Sequence, residues 1–162
     1  MHTEERAFQD SYVPDYSHCY GCGRLNTDGL QIKTYWQGDE AVTRFLPRDC
    51  HTAFPGFVYG GLLASLFDCH GVGTAAASAA RAQGRAIDGD PPLRFVTASL
   101  KVDYLKPTPM GVMLEIRGRA TEVKARKVVV EATMTADGLV TAKAQVVAVP
   151  MPASFPAAAR AP

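Results

Sequence analysis

Hydrophobic and polar positions along the chain follow two periods. Leu30, Ile32, Thr34 and Trp36 share one face of an alternating run, just after the turn residues Asn26-Thr27-Asp28-Gly29. Gly38-Asp39 turns the chain into a second such run over 41–46, which predicts a hairpin. Residues 47–59, with Pro47, Pro55 and Gly56, read as a loop. From 60 to 83 the pattern changes: prolines vanish, and Leu62, Leu63, Leu66 and Phe67 supply an apolar face. That stretch is long enough for about six helical turns. It is apolar nearly all round, the mark of a buried helix, and Gly71 and Gly73 would let another backbone pack close. After a loop over 84–92, four alternating runs follow at 100–104, 112–119, 128–136 and 140–148, the last two joined by the turn Asp137-Gly138. Two strands, one long helix and four strands make an α+β domain whose antiparallel sheet must curve around the helix. Residues 1–17 read as an N-terminal arm, 18–149 as the domain, and 150–162 as a proline-broken, flexible tail.

Composition narrows the function classes. The chain of 162 residues is 47% hydrophobic and 20% charged, which suits one globular domain. Lys plus Arg number 17 and Asp plus Glu 16, so the formal charge is +1. That is too little to gather a nucleic acid or an anionic membrane, and an anionic ligand would need a local basic cluster. No apolar run is long enough for a membrane span, and the first ten residues lack a signal peptide's apolar core, so a cytoplasmic address is expected. Of Cys19, Cys22, Cys50 and Cys69, only Cys19-Tyr20-Gly21-Cys22 has suggestive spacing. His18, Cys50 and His51 are nearby candidates for zinc, but a second C-x-x-C or H-x3-5-H is missing. A structural or incidental role is therefore expected, and no metal.

Asp68 calls for an explanation. It lies in the apolar helix with Ala64, Ser65, Gly71 and Val72 at i±3 and i±4, so no cation on that helix pairs with it. It is a carboxylate hydrogen-bonded by Ser65 or strand hydroxyls, one that emerges at a helix edge, or a functional one. Gly60-Gly61 at the helix start offers unpaired first-turn amides that can stabilise an oxyanion, with no side chain to block close approach. Polarising amides and a carboxylate are what hydrolysis of an activated acyl group requires. Eight residues of helix separate the two by about 12 Å, so one helix cannot present both to one carbonyl. If both act, Gly60 of one chain must meet Asp68 of another, which predicts an isologous dimer with two shared sites.

Three segments carry a family resemblance: Cys19-Tyr20-Gly21-Cys22-Gly23-x2-Asn26-x2-Gly29-Leu30; Phe54-Pro55-Gly56-x2-Tyr59-Gly60-Gly61-x6-Asp68; and Val102-x-Tyr104-Leu105-x-Pro107-x-Pro109-x-Gly111. Together they resemble the hotdog-fold acyl-CoA thioesterases, in particular the phenylacetate-pathway (PaaI-like) branch, over roughly residues 18–149. The resemblance implies a hotdog fold, dimers that often pair into tetramers, and hydrolysis of acyl-CoA without metal or organic cofactor. It makes Asp68 the general base or nucleophile, the Gly60 amide the polariser of the thioester carbonyl, and Thr97 the hydroxyl that orients water. Tyr59 stands where many relatives have His and can still donate a hydrogen bond. An Asn that assists the carbonyl in some relatives is replaced by Ala53, with His51 nearby. His70, two residues past Asp68, should face another side of the helix and pack or contact a dimer partner.

The acyl group should sit among Phe54, Tyr59, Gly61, Leu63 and Phe67, and the sequence does not choose between aromatic and medium aliphatic chains. Lys101, Lys106, Lys124, Arg126 and Lys127 are candidates for the CoA phosphates, with Arg126-Lys127 preferred; for any one of them a solvated strand face is the simpler reading. Two other readings remain at this point. A hotdog dehydratase or hydratase would set His51 or His70 against Asp68, and a non-catalytic acyl-CoA-binding dimer would bury Asp68 in a salt bridge.

Overall fold

The computed structural model describes residues 6–152. Strands β1 (Thr34–Gln37) and β2 (Glu40–Phe45) come first, then helix α1 (Gly60–Ala82), then β3 (Phe95–Tyr104), β4 (Leu114–Lys124), β5 (Lys127–Ala136) and β6 (Leu139–Pro150). The six strands form one antiparallel sheet in the order β1-β2-β4-β5-β6-β3. Register shifts at Thr97/Ser99, Ala120/Glu122 and Met134/Thr135 each add local bend, and the sheet curls over α1. This is the hotdog architecture the sequence implied. Leu62, Leu66 and Phe67 of the helix pack with Ile116, Val128, Val130, Met134 and Val146 of the sheet in one core. A Cβ on Gly71 would come within 2.5 Å of Val146, so that glycine is what lets the helix lie close against β6.

Helix α1 ends one residue short of the predicted limit, at Ala82. The strands depart further. The first predicted strand keeps only its second half, because the Leu30 and Ile32 amides bond to the Tyr20 and Gly21 carbonyls and Gln31 has φ of 55°. β3 begins five residues before the predicted run, at Phe95. Its bulge after Thr97 breaks the alternation that would have revealed it.

Two expectations need correction. The described part of the expected arm, residues 6–17, is packed, with residues 1–5 outside the described part of the chain: Ala7, Phe8, Gln9 and Tyr12 are buried, and Phe8 tilts against Trp36 with ring centroids 5.0 Å apart. The Gln9 amide donates to Thr34 Oγ1 at 2.9 Å and its oxygen accepts from the Thr34 amide at 2.8 Å, so a polar residue is buried with its bonds satisfied. The helix, in turn, is not buried all round. Gly61, Ala64, Ser65, Asp68 and Val72 are only half-buried and recur at helical spacing, so they form one open stripe. A single curved sheet cannot cover a whole helix. The expected tail runs from Pro150, which ends β6, into residues 153–162 outside the described part of the chain.

β3 closes one edge of the sheet. It is ten residues long, bonded only to β6, and exposed along most of its length.

Candidate functional site

Asp68 sits on the open stripe of α1, facing β3. The Thr97 hydroxyl donates to Asp68 Oδ1 at 2.5 Å. Ser65, the other expected partner, instead donates to the Gly61 carbonyl at 2.9 Å. The carboxylate therefore has a single strand hydroxyl as partner and no salt bridge among the described residues, and it remains half-open. A carboxylate so held can accept a proton from water or attack a carbonyl.

Gly60 lies at the other end of the same helix–strand pair. Tyr59 precedes the helix in an extended conformation and no side chain caps the first turn, so the Gly60 and Gly61 amides keep their donor capacity. The Tyr104 hydroxyl, from the far end of β3, donates to the Gly60 carbonyl at 2.8 Å. Burial, then the neighbouring Tyr59, raises the Tyr104 hydroxyl above its ordinary pKa, which keeps it a donor at neutral pH. The Tyr59 ring folds over Gly61, where a Cβ would lie 2.4 Å from its edge. A short hairpin holds this end in place: Tyr59 N donates to His51 O, and Val58 N to Thr108 O, both at 2.8 Å.

A groove runs beside Gly60, walled by Val58, Leu63, Tyr104, Leu105, Lys106 and Thr108. Thr108 Oγ1 is buried in that wall without a hydrogen-bond partner. Tyr104 and Thr108 were not among the expected site residues. Tyr104 entered the sequence reading only as part of a strand motif, and its role depends on β3 running antiparallel to α1.

The remaining expected residues scatter. His51 accepts the Arg48 amide at Nδ1, at 3.0 Å, and burial followed by the Arg48 charge lowers its pKa. Phe54 is 78% exposed at the loop tip. Phe67 is fully buried between helix and sheet, so in this chain it builds the core rather than a pocket wall; its spacing from Leu63 puts it on the covered side of the helix. Lys127 and Lys124 both pair with Glu122, at 3.1 and 2.9 Å, while Arg126 is exposed at the β4–β5 turn and carries no ion pair among the described residues. Register places that turn at the Thr97 end of the sheet, because Thr97, Ala148, Val128 and Val123 lie in one row across four strands. Three strand spacings make this about 14 Å. Asp68 and Gly60 stay about 12 Å apart along the helix, so one chain does not bring them together.

His70 faces away from Asp68 into the core. Its Nδ1 bonds Thr43 Oγ1 at 2.9 Å, extending a buried chain through Thr34 to Gln9, and Nε2 points at Gly118 with no partner. Within one chain, therefore, neither His51 nor His70 bonds Asp68. Burial lowers the His70 pKa from 6.5 to about 3. Below pH 6.5 the unfolded chain takes up a proton that the folded chain refuses, so stability is full above pH 6.5 and falls as pH drops toward 3. Urea melts between pH 6 and 4.5 should lose about 1.4 kcal/mol per pH unit from this group, and a His70→Asn chain should show a shallower slope. Equal slopes in the two chains would contradict the assignment.

A second cluster was only half foreseen. The sulfurs of Cys19, Cys22 and Cys69 lie within 4.8 Å of one another, whereas Cys50 is exposed and stands apart from them. Cys69 escaped the spacing argument because it lies 47 residues past Cys22 and meets it only in the folded chain.

The family model described as "Thioesterase superfamily" matches residues 55–147, more than half of the chain. Among solved structures, a thioesterase superfamily protein from Shewanella loihica PV-4 is 48% identical over 89% of this chain and 99% of its own, with a TM-score of 0.67. A phenylacetic acid degradation-related protein from Ralstonia eutropha JMP134 is 19% identical over 74% of this chain and 85% of its own (TM-score 0.59) and shares the fold. A hypothetical thioesterase with coenzyme A from Streptococcus pneumoniae TIGR4 is 19% identical over the same shares (TM-score 0.55) and likewise shares the fold. No curated protein matches the chain. No helix among the described residues is long and apolar enough to cross a membrane. Curved sheet, central helix, matched family model and a relative nearly half identical agree: this chain belongs to the thioesterase superfamily.

Proposed function

We propose that the protein hydrolyses an acyl-CoA thioester at a site shared by two copies of the chain. Asp68 takes a proton from water, the resulting hydroxide adds to the carbonyl, and the C–S bond breaks to release the acid and the CoA thiol; direct attack by the carboxylate is the nucleophilic variant. Thr97 holds the carboxylate and the water, and the Gly60 amide of the other copy polarises the carbonyl. The observation that carries this reading is the Thr97–Asp68 hydrogen bond on a half-open helix stripe, beside an edge strand whose outer side pairs with no strand among the described residues.

The edge strand supports the shared site. A long exposed edge is a template for pairing. Two β3 strands joined antiparallel about Leu100 and Lys101 would set Thr97 opposite Tyr104 of the second copy. Asp68 bonds the first of these and Gly60 the second, so the pairing carries Asp68 toward the partner's Gly60. The same contact would cover the open stripe of α1, and dimers of dimers fit the family pattern.

Leu63, Tyr59, Gly61 and the exposed Phe54 would line the acyl end, and Arg126 leads the candidates for the CoA phosphates. Relatives of this fold with coenzyme A and from phenylacetic acid degradation support an acyl-CoA substrate and the phenylacetate-pathway branch. A cytoplasmic setting follows from that substrate. The test is thiol release from a panel of aromatic and aliphatic acyl-CoAs by the purified protein. Turnover of at least one is expected; none across the panel, from protein shown to be folded, would sink the proposal.

A further inference from the structure

The cysteine cluster lies outside this machinery and is built in detail. Cys19 and Cys22 come from the loop Cys19-Tyr20-Gly21-Cys22-Gly23, and Cys69 comes from α1, one residue past Asp68. Cys22 and Cys69 are buried and Cys19 is half-buried. The Gly23 amide donates to the Cys19 carbonyl at 2.8 Å and closes the loop.

Two glycines permit this arrangement. A Cβ on Gly21 would lie 2.4 Å from Cys69 Sγ, and one on Gly23 would lie 2.5 Å from the Cys19 amide nitrogen and the Ser17 carbonyl oxygen. The loop is thus shaped to press two sulfurs onto a third from a distant element. A disulfide would use two of them and leave the third unexplained. A soft cation uses all three. Thiolates at about 2.3 Å from a tetrahedral zinc ion are about 3.8 Å apart, a contraction of at most about 1 Å from the present spacing.

We propose that Cys19, Cys22 and Cys69 form a three-thiolate site for Zn²⁺, which clamps the 19–23 loop onto α1 beside Asp68. Solvent supplies the fourth donor on the half-open Cys19 side. Binding exchanges thiol protons for the metal, with no change of oxidation state.

The experiment uses the full chain, expressed with added zinc and purified under reducing conditions without chelator. Elemental analysis should find about one zinc per chain, and Co²⁺ in its place should give a sulfur-to-cobalt charge-transfer band. Cys50→Ser should keep both signals. Cys19→Ser and Cys69→Ser should each weaken zinc binding by roughly a hundredfold and, at saturating Co²⁺, lower the band by about a third. Should Cys69→Ser fail to fold, the half-exposed Cys19→Ser and the wild-type cobalt spectrum decide alone. Zinc-free protein whose thiols all react freely, a disulfide joining any two of the three, or unchanged zinc binding in Cys19→Ser would each overturn the proposal. None of these readouts depends on thioesterase activity.

Discussion

Asp68→Asn is expected to lower kcat for acyl-CoA hydrolysis by about 10²–10⁴-fold while KM changes little. The amide keeps the size of the carboxylate and can still take the Thr97 hydroxyl as donor through its oxygen. It cannot accept a proton from water at neutral pH, and it is a poor nucleophile. The fold should survive, because Asp68 is half-exposed, without a salt bridge, and outside the apolar core. Thr97→Val tests the positioning part of the same pair and should cost about tenfold in kcat, with Thr97→Ser restoring most of it. Steady-state kinetics alongside circular dichroism separates chemistry from folding. Asp68→Asn with wild-type kcat would remove the carboxylate from the mechanism altogether.

Gly60→Pro should be nearly as damaging, for a different reason. Proline at the first position of a helix is structurally well tolerated, and Tyr59 already has the extended backbone that a residue before proline prefers. The atoms nearest to a Cβ at Gly60 belong to the Tyr104 side chain, at 3.5 Å, an ordinary contact. The substitution therefore removes one amide hydrogen and little else. Losing a single oxyanion donor costs about 10²–10³-fold in kcat.

The pair of variants also tests the shared site. In a mixed dimer of Asp68→Asn and Gly60→Pro chains, one site receives both defects and the other none. Random mixing makes half the dimers mixed, so activity should return to about a quarter of wild type. Mixed chains that stay inactive, although shown to exchange subunits, would mean that each site draws both residues from one chain. The proposed dimer would then be wrong even if Asp68 remained essential.

Much of the fold was legible because its signals are local. The helix was predicted within a residue because a long proline-free apolar run has few other uses. The β5–β6 hairpin was legible from Asp137-Gly138, whose φ values of 50° and 74° only such residues adopt easily. The signals failed where the backbone leaves its period: at the bulge after Thr97, and at Leu30–Ile32, whose amides are taken by a loop. The packed N-terminal segment was missed because its bonds, such as Gln9 to Thr34, span 25 residues and leave no periodic trace.

The site divides along the same line. Asp68 and Gly60 stood out by chemistry, as a carboxylate without a cation and a glycine pair at a helix start, and their separation followed from helical rise alone. What a given residue type can do, and how far apart two residues on one helix must lie, are properties of the chain as a string. Which hydroxyl meets Asp68, which phenol meets Gly60, which helix face stays open, and which third thiol joins Cys19 and Cys22 are not. Each depends on α1 running antiparallel to β3 at the free edge of the sheet, or on a loop pressed against that helix. Contacts between elements far apart in sequence are set by packing, and packing is decided only when the whole chain has folded.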